Sequence, residues 1–330
     1  MLPQESGVSD RVAIVVVSYN SHAVLGRCLA CIQQQQRPAN RVIVVENGAR
    51  DLDFEKVWSQ RGVEFVSLGF NSGFAGGNNF ALDLCTECSL VALVNPDAFL
   101  APDWLACMCA EATRNSGAAS FASRLMKDSV ESVLDGVGDA YHFSGLVWRI
   151  GHGKQLPHNT KRVRDVFSAC AAAALYRRSA LEEVGGFDER YFCYIEDIDL
   201  GFRLRLAGGT CVLVWDAMAY HVGSATTGGQ DSDFATYHGH RNIEWTYLKN
   251  MPTALLLVTF PFHVLMVFLT IIVLTIRGQG RLAIKSKWDA WRCLGGILAA
   301  RHGIQAARRV SSLTIWAAFD KSLLQRKLVS

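Results

Sequence analysis

Residues 12–46 read VAIVVVSYNSHAVLGRCLACIQQQQRPANRVIVVE. Val12–Val17 is an unbroken, mostly β-branched run, which marks a strand buried on both faces rather than one with a wet side. Ser18, Tyr19, Asn20 and Ser21 end it, and Val24, Leu25, Leu29 and Ile32 then recur at helical spacing. Pro38 stops that helix, and Arg41–Glu46 is a second apolar strand. A strand, a helix and a strand in such short order form a β-α-β unit, so the chain is predicted to be an α/β protein with a mostly parallel central sheet flanked by helices.

The same grammar continues outward. Val63–Leu68 is a third strand, followed by Gly69–Asn79, GFNSGFAGGNN, before a helix at Phe80–Leu84. Backbone this rich in glycine can approach a phosphate or a ribose closely, although an ordinary turn has the same composition. A G-x-G-x-x-G directly after the first strand would mark a dinucleotide-dependent oxidoreductase; here SYNSHAVLG stands in that place, which argues against one. Leu90–Val94 is a fourth buried strand that delivers Asn95, Pro96 and Asp97 at its carboxyl end. That is where open α/β sheets bind ligands, though Asn-Pro-Asp is also favourable turn chemistry. Between 128 and 165 the periodicity fails, and a long site-facing loop with short strands is expected there. Thr210–Trp215 reads as a further strand, with His221 just beyond it.

In Gly185–Leu206, GGFDERYFCYIEDIDLGFRLRL, three acids open a helix whose apolar stripe is Ile195, Ile198, Phe202 and Leu206. Acids in a first turn are favoured by the helix dipole, and Asp199 can pair with Arg203 one turn on. Asp197 and Asp199 point about 200° apart on a helix, so only one of them can face a given ligand. Glu196, Asp197 and Asp199 are the candidates.

The chain has 330 residues, half of them apolar and 19% charged, enough for one large or two ordinary domains. Its net charge of +3 hides an asymmetry: from Arg277 onward, eleven Lys and Arg stand against Asp289 and Asp320, a net of +9, and the part before it carries −6. A basic tail suits an anionic membrane surface or nucleic acid; no nucleic-acid partner is expected, because no aromatic-interleaved, groove-reading element accompanies it. Thr253–Ile276 holds no formally charged residue over 24 positions, long enough to cross a bilayer. Pro261 is expected to split it into two halves. The positive-inside rule puts both body and tail on the cytoplasmic face of the inner membrane, which a monotopic, re-entrant or in-plane hairpin satisfies better than a single pass. Trp288, Trp291, Leu294 and Leu298 beside Lys285, Lys287 and Arg292 read as an interfacial helix, or else as a core helix of a basic subdomain. The expected organisation is a polar tail (1–10), a catalytic domain (11–247) and a membrane-associating region (248–330). Of the ten cysteines, Cys28, Cys31, Cys85 and Cys88 could nominally form a zinc set, but both pairs fall in helical stretches. Met1–Asp10 lacks an apolar core of the signal-peptide kind, so free thiols in a reducing cytoplasm are expected.

The motifs VVVSYNS (15–21), VVENG (44–48), LGFNSGFAGGNN (68–79), LVNPDA (93–98), GGFDERYFCYIEDIDLGFRLR (185–205) and YHVGS (220–224) occur in this order. Over about residues 10–250 the chain resembles family-2 glycosyltransferases of GT-A fold, within them the rhamnosyltransferase-like branch that builds lipid-linked surface glycans. The resemblance implies that Ser18, Tyr19 and Asn20 close over a nucleotide base. It places Glu46, in place of a usual aspartate, at the nucleoside, and Asn71, Gly76, Gly77 and Asn78 near ribose and sugar. Asn95 and Asp97 stand in for an Asp-x-Asp metal motif, with His221 completing a site for Mg²⁺ or Mn²⁺, and Asp197 is implied as the base, with Glu196 as the fallback and the aromatics before them, Tyr191, Phe192 and Tyr194, shaping the sugar pocket. The implied donor is a nucleoside-diphosphate sugar, dTDP-rhamnose first, and the implied acceptor a glycan or polyprenyl-linked glycan. Another hexosyl or N-acetylhexosaminyl transferase of the same fold, or an inactive membrane-bound nucleotide-sugar binding module, are the alternatives.

Overall fold

The structure is a computed structural model that describes residues 10–128, 132–156, 165–223 and 232–322. Residues 1–9 of the expected polar tail, and Arg326 and Lys327 of the basic tail, lie outside the described residues. The chain opens with β1 (Val12–Ser18), α1 (His22–Gln33), β2 (Arg41–Glu46), α2 (Leu52–Ser59), β3 (Val63–Ser67), α3 (Gly73–Leu84) and β4 (Leu90–Val94). It continues through β5 (Ala98–Leu100), α4 (Trp104–Arg114), β6 (Ala118–Lys127), β7 (Leu134–Gly136), β8 (Asp139–Tyr141), β9 (Val147–Arg149), β10 (Asp165–Val166) and β11 (Ala173–Arg177). After α5 (Arg178–Glu183) and a 3₁₀ turn (Glu189–Tyr191) come α6 (Glu196–Leu206), β12 (Thr210–His221) and α7 (Asp233–Asn250). Four helices follow: α8 (Thr253–Ile276), α9 (Gly280–Arg292), α10 (Leu294–Ala306) and α11 (Ser312–Ala318).

The main sheet runs β10-β12-β6-β11-β4-β1-β2-β3, with β5 on β12 and β7 on β6. β1 pairs in parallel with β2 and β4, and β12 with β6; β11 is inserted antiparallel between β4 and β6. Side chains alternate along β1 as the pleat requires. Ile14 and Val16 pack with Leu25 and Leu29 of α1 and Trp104 of α4 on one face, while Ala13 and Val15 pack with Leu82 of α3 and Leu200 of α6 on the other. Cys28 belongs to the first cluster and Cys85 and Cys88 to the second, so the C-x-x-C pairs sit on opposite faces and form no zinc set; all ten thiols are free.

Three sequence expectations change. The glycine-rich segment is a loop only to Ser72, because α3 begins at Gly73 and takes Gly76, Gly77 and Asn78 into its interior. Pro261 does not divide the apolar stretch: α8 is one continuous helix, since a single lost backbone bond is outweighed by the remaining ladder and by docking on the body. The expected boundary after residue 247 falls inside α7, and the aromatic cluster of Tyr141, Phe167, Phe202, Tyr247, Ile315 and Phe319 joins β8, α6, α7 and α11 in one core.

Among the described residues α8 is the one helix long and apolar enough to cross a membrane. It packs along α9 and touches α7 through side chains. Thr259 Oγ1 meets Tyr247 Oη at 2.8 Å, the His263 ring stacks on Tyr247 with centroids 3.7 Å apart, and His263 Nε2 lies 3.0 Å from Glu244 Oε2. Beyond its end, Gln279 Nε2 donates to Asp233 Oδ1 at 3.1 Å. Its outward face, with Leu257, Phe260, Leu265 and Phe268, is exposed, as are Trp288 and Trp291 of α9.

Candidate active site

A cleft of about 940 Å³ opens at the carboxyl ends of β1, β2 and β4. One wall is set by sheet register. β5 pairs with β12 so that Ala98 faces His221, which brings the side chain of Asp97 beside that histidine. His221 Nε2 lies 3.3 Å from Asp97 Oδ1, and His221 Nδ1 is 2.8 Å from Asp135 Oδ2. Asp135 also accepts from Arg149 Nη1 at 2.6 Å and has His152 Nδ1 at 3.3 Å. Burial works against protonation of His221, but Asp135 and Asp97 outweigh it and raise its pKa. Burial likewise opposes ionisation of Asp135, and the surrounding His152, His221 and Arg149 hold it well below the usual carboxylate range.

This wall suits a hard divalent cation. Asn95 Oδ1 is a buried atom without a hydrogen-bond partner among the described residues, and Asn95, Asp97 and His221 line one cleft. The oxygen donors of Asn95 and Asp97 suit Mg²⁺ or Mn²⁺, and Asp135 behind His221 is a carboxylate of the kind that would orient a metal-binding imidazole. Atoms of Asp139, Cys170 and Asp197 in the same cleft also lie within 4.8 Å of one another. Burial pushes the pKa of all three up.

The facing wall is the turn that leads into α6. Phe192, Tyr194 and Ile195 have φ of 64°, 65° and 69°, left-handed backbone that costs a side-chain-bearing residue on the order of 1–3 kcal/mol each. Gly73 (φ +72°) lets this turn come close: a Cβ there would stand 2.5 Å from Phe192 O. The carboxylate of Asp197 accepts from the N–H of Ala171 at 3.2 Å and of Ile198 at 2.8 Å. Burial still raises its pKa. Burial and the nearby Asp197 push the Glu196 carboxyl well above the usual range, and its Oε2 has no hydrogen-bond partner among the described residues. Burial first, then Asp197, pushes Asp139 up to about 8. Asp199 turns away, as the sequence suggests: it pairs with Arg203 Nε at 2.8 Å and with Lys249 Nζ at 2.8 Å. Tyr191, expected in the sugar pocket, is instead buried with its hydroxyl on Asp199, while Phe192 and Tyr194 do line the cleft.

Of the expected nucleotide contacts, Tyr19, Asn71, Asn95 and Asp97 line the cleft. Asn20 adopts φ 51° and sits against Gly48. Glu46 is a correction: it is 1% exposed and enclosed, accepting from Ser18 Oγ at 3.0 Å and Gly48 N at 3.1 Å, with His22 Nε2 at 3.2 Å. Its extra methylene relative to aspartate lets it fold back onto these donors, so Ser18 is spent on it as well. Gly76, Gly77 and Asn78 are a second correction, since they serve helix packing: a Cβ on Gly77 would lie 2.7 Å from Val17 Cγ1, and Asn78 Nδ2 donates back to Phe74 O. Asn47, which sequence reasoning missed, lines the cleft and joins β2 to α3 through Gly73 O at 2.8 Å and Ser72 Oγ at 3.0 Å. Asp135, Asp139, Arg149 and His152 were also missed; the available signal was four chemistry-bearing residues in a stretch with no apolar stripe.

The family described as glycosyl transferase family 2 matches residues 13–185. Among curated proteins, N-acetylglucosaminyl-diphospho-decaprenol L-rhamnosyltransferase of Mycobacterium tuberculosis is 27% identical over 257 residues, 70% of this chain and 82% of that one. O-antigen biosynthesis protein RfbC of Myxococcus xanthus is 26% identical over 220 residues, 64% of this chain and 17% of that protein. Mannosyltransferase PcManGT from Pyrobaculum calidifontis, solved with GDP-Man and Mn²⁺, superposes with a TM-score of 0.54 at 16% identity over 94% of this chain and 79% of its own. GalNAc-T7, solved with UDP, GalNAc and Mn²⁺, gives 0.59 at 13% identity over 74% of this chain and 48% of its own, so this chain spans about half of it. At these identities the two structures speak to the fold, which is GT-A.

Proposed function

This chain belongs to glycosyl transferase family 2, and from that premise we propose that it transfers rhamnose, with inversion, from dTDP-rhamnose to a hydroxyl of a polyprenyl-diphosphate-linked glycan at the cytoplasmic face of the membrane. Sugar transfer is the family's reaction; the finer reading rests on one observation. A single cleft holds a cation-type donor set, Asn95, Asp97 and His221, together with a buried carboxyl of raised pKa, Asp197. The choice of rhamnose and of a lipid-linked acceptor is supported by the mycobacterial relative, whose name states both.

Asp97 and His221, with Asn95 beside them, would hold Mg²⁺ or Mn²⁺, which when bound neutralises charge on the departing diphosphate. Tyr19, Asn47 and Asn71 border the nucleoside end of the cleft, and Phe192 and Tyr194 border the sugar. Asp197 takes the proton of the acceptor hydroxyl as that oxygen bonds to the anomeric carbon and the bond to the nucleoside diphosphate breaks. With Asp197 as the base and the acceptor oxygen as the nucleophile, the reaction is a single displacement, hence inversion. The raised pKa brings the base nearer the operating pH, where general-base catalysis is most effective. The exposed apolar face of α8, flanked by the basic residues of α9, seats the enzyme on an anionic membrane surface.

The test is transfer by the full-length chain to polyprenyl-diphosphate-N-acetylglucosamine from dTDP-rhamnose, UDP-N-acetylglucosamine, UDP-glucose and GDP-mannose, with and without Mg²⁺. Turnover is expected with dTDP-rhamnose and the ion. Asp197→Asn should lose about 10²–10⁴-fold in kcat while still binding dTDP. Wild-type turnover by that variant removes Asp197 as the base, and preference for another donor removes the rhamnose assignment.

A further inference from the structure

The turn that presents Asp197 has an unusual support. Three of its residues, Phe192, Tyr194 and Ile195, hold left-handed backbone without being glycine. Its carbonyls face one side chain: Asn242 of α7, fully buried, whose Nδ2 donates to Tyr191 O at 3.0 Å, Cys193 O at 3.0 Å and Tyr194 O at 2.7 Å. Its Oδ1 accepts from Arg241 Nε at 2.9 Å, which fixes the orientation of the amide, and Arg241 Nη2 adds a bond to Tyr191 O at 3.1 Å. The other two carbonyls are used elsewhere, Phe192 O by Ala75 N and Ile195 O by Asp199 N. A backbone wound the unfavourable way persists only when its surroundings over-determine it, and here one amide meets three of the five carbonyls.

We propose that Asn242 is a positioning residue for the transfer reaction: its amide holds Tyr191–Tyr194 in the left-handed turn and thereby keeps the Asp197 carboxylate in the cleft. Asn242 touches no reacting atom. It rests on the reading of Asp197 as base, and it extends the catalytic apparatus into α7.

Three full-length variants test this. Asn242→Asp keeps size and the acceptor toward Arg241 but turns an oxygen toward three carbonyl oxygens; Asn242→Ala removes the amide without adding charge. In both, kcat should fall on the order of 10²-fold, the effect of displacing a reacting group by about an ångström. Binding of dTDP with Mg²⁺, measured by calorimetry, should stay within about twofold of wild type, because the nucleotide end of the cleft is built from β1, β2 and β4. The third variant is the decisive one. Ile195→Gly in the Asn242→Ala background supplies a residue at home at positive φ and should restore kcat by about tenfold. Wild-type kcat in both single variants overturns the proposal, as does a parallel loss of kcat and dTDP binding, or failure of the glycine to restore any activity. Asp197→Asn assayed alongside separates the two ideas: if it remains active the base reading fails, whereas if it is inactive and Asn242→Asp is not, only the role of Asn242 fails.

Discussion

Lys249→Met should cost the enzyme much of its stability, and the geometry sets the size. Lys249 Nζ is fully buried, 2.8 Å from Asp199 Oδ1, and is also paired with Asp188. At an effective dielectric of about 20, one such contact alone is worth roughly 6 kcal/mol. Asp199 keeps Arg203 Nε at 2.8 Å, Asn250 Nδ2 at 2.7 Å and Tyr191 Oη at 3.1 Å, so part of that is retained. A net loss of about 3–5 kcal/mol is expected, the usual result of removing one partner from a buried pair. That corresponds to a fall in Tm of roughly 4–7 °C for a chain of this length. The loss should depend on pH in a definite sense. Burial opposes ionisation of Asp199, but Lys249 and Arg203 hold its carboxyl well below the ordinary range. A depressed carboxyl adds stability that is complete above its unfolded pKa of about 4 and disappears as pH falls through the folded value. The gap between wild type and variant should therefore be full at neutral pH and close below about pH 4. Denaturant unfolding of the full-length protein in mild detergent, repeated across pH, measures it. A loss under about 1 kcal/mol, or a gap that does not change with pH, would refute the account of α6 as locked to α7 by this network.

Other outcomes follow from the site. Asp135→Asn should weaken Mn²⁺ binding about 10–100-fold, seen in a calorimetric titration with dTDP present, because the carboxylate that orients His221 is gone; unchanged affinity would mean that His221 needs no such support. Asp139 is raised to about 8, chiefly by burial, so the folded state binds its proton more tightly than the unfolded one, and this group costs stability progressively as pH rises from about 4 to 8. Asp139→Asn should remove that decline, and parallel Tm-against-pH curves for variant and wild type would contradict it. Phe268→Asp on the outward face of α8 should lower binding to phosphatidylglycerol vesicles about tenfold or more with Tm near wild type, read by flotation; unaltered flotation would remove α8 as the membrane contact.

The β-α-β start was legible because an apolar β-branched run has one comfortable environment, a strand buried on both faces, and Asp197 with its stripe was legible for the matching helical reason. Gly76 and Gly77 misled because composition does not distinguish a glycine needed for positive φ from one needed for close approach; only the distance to Val17 does. β12 runs to His221, beyond the expected Trp215, because it follows the long strand β6, and such pairing lies far apart in sequence. Non-local contacts also place Asp135 and Asp139, through β7 on β6 and the Asp139–Ser168 bridge, in a stretch with no readable period. Glu46 differs in another way: its side chain, longer than an aspartate's, is taken up by Ser18, Gly48 and His22.

The docking of α8 to α11 on the body has a practical side. Trimming the chain after α7 is the obvious way to a soluble preparation, and it would uncover Tyr141 and Phe202, now covered by Ile315 and Phe319, and leave Glu244 without His263 and Lys287. A detergent-free version of this enzyme is better reached by recolouring than by cutting, with polar residues in place of Leu257, Phe260, Leu265, Phe268, Trp288 and Trp291 and every inward-facing residue of the four helices kept.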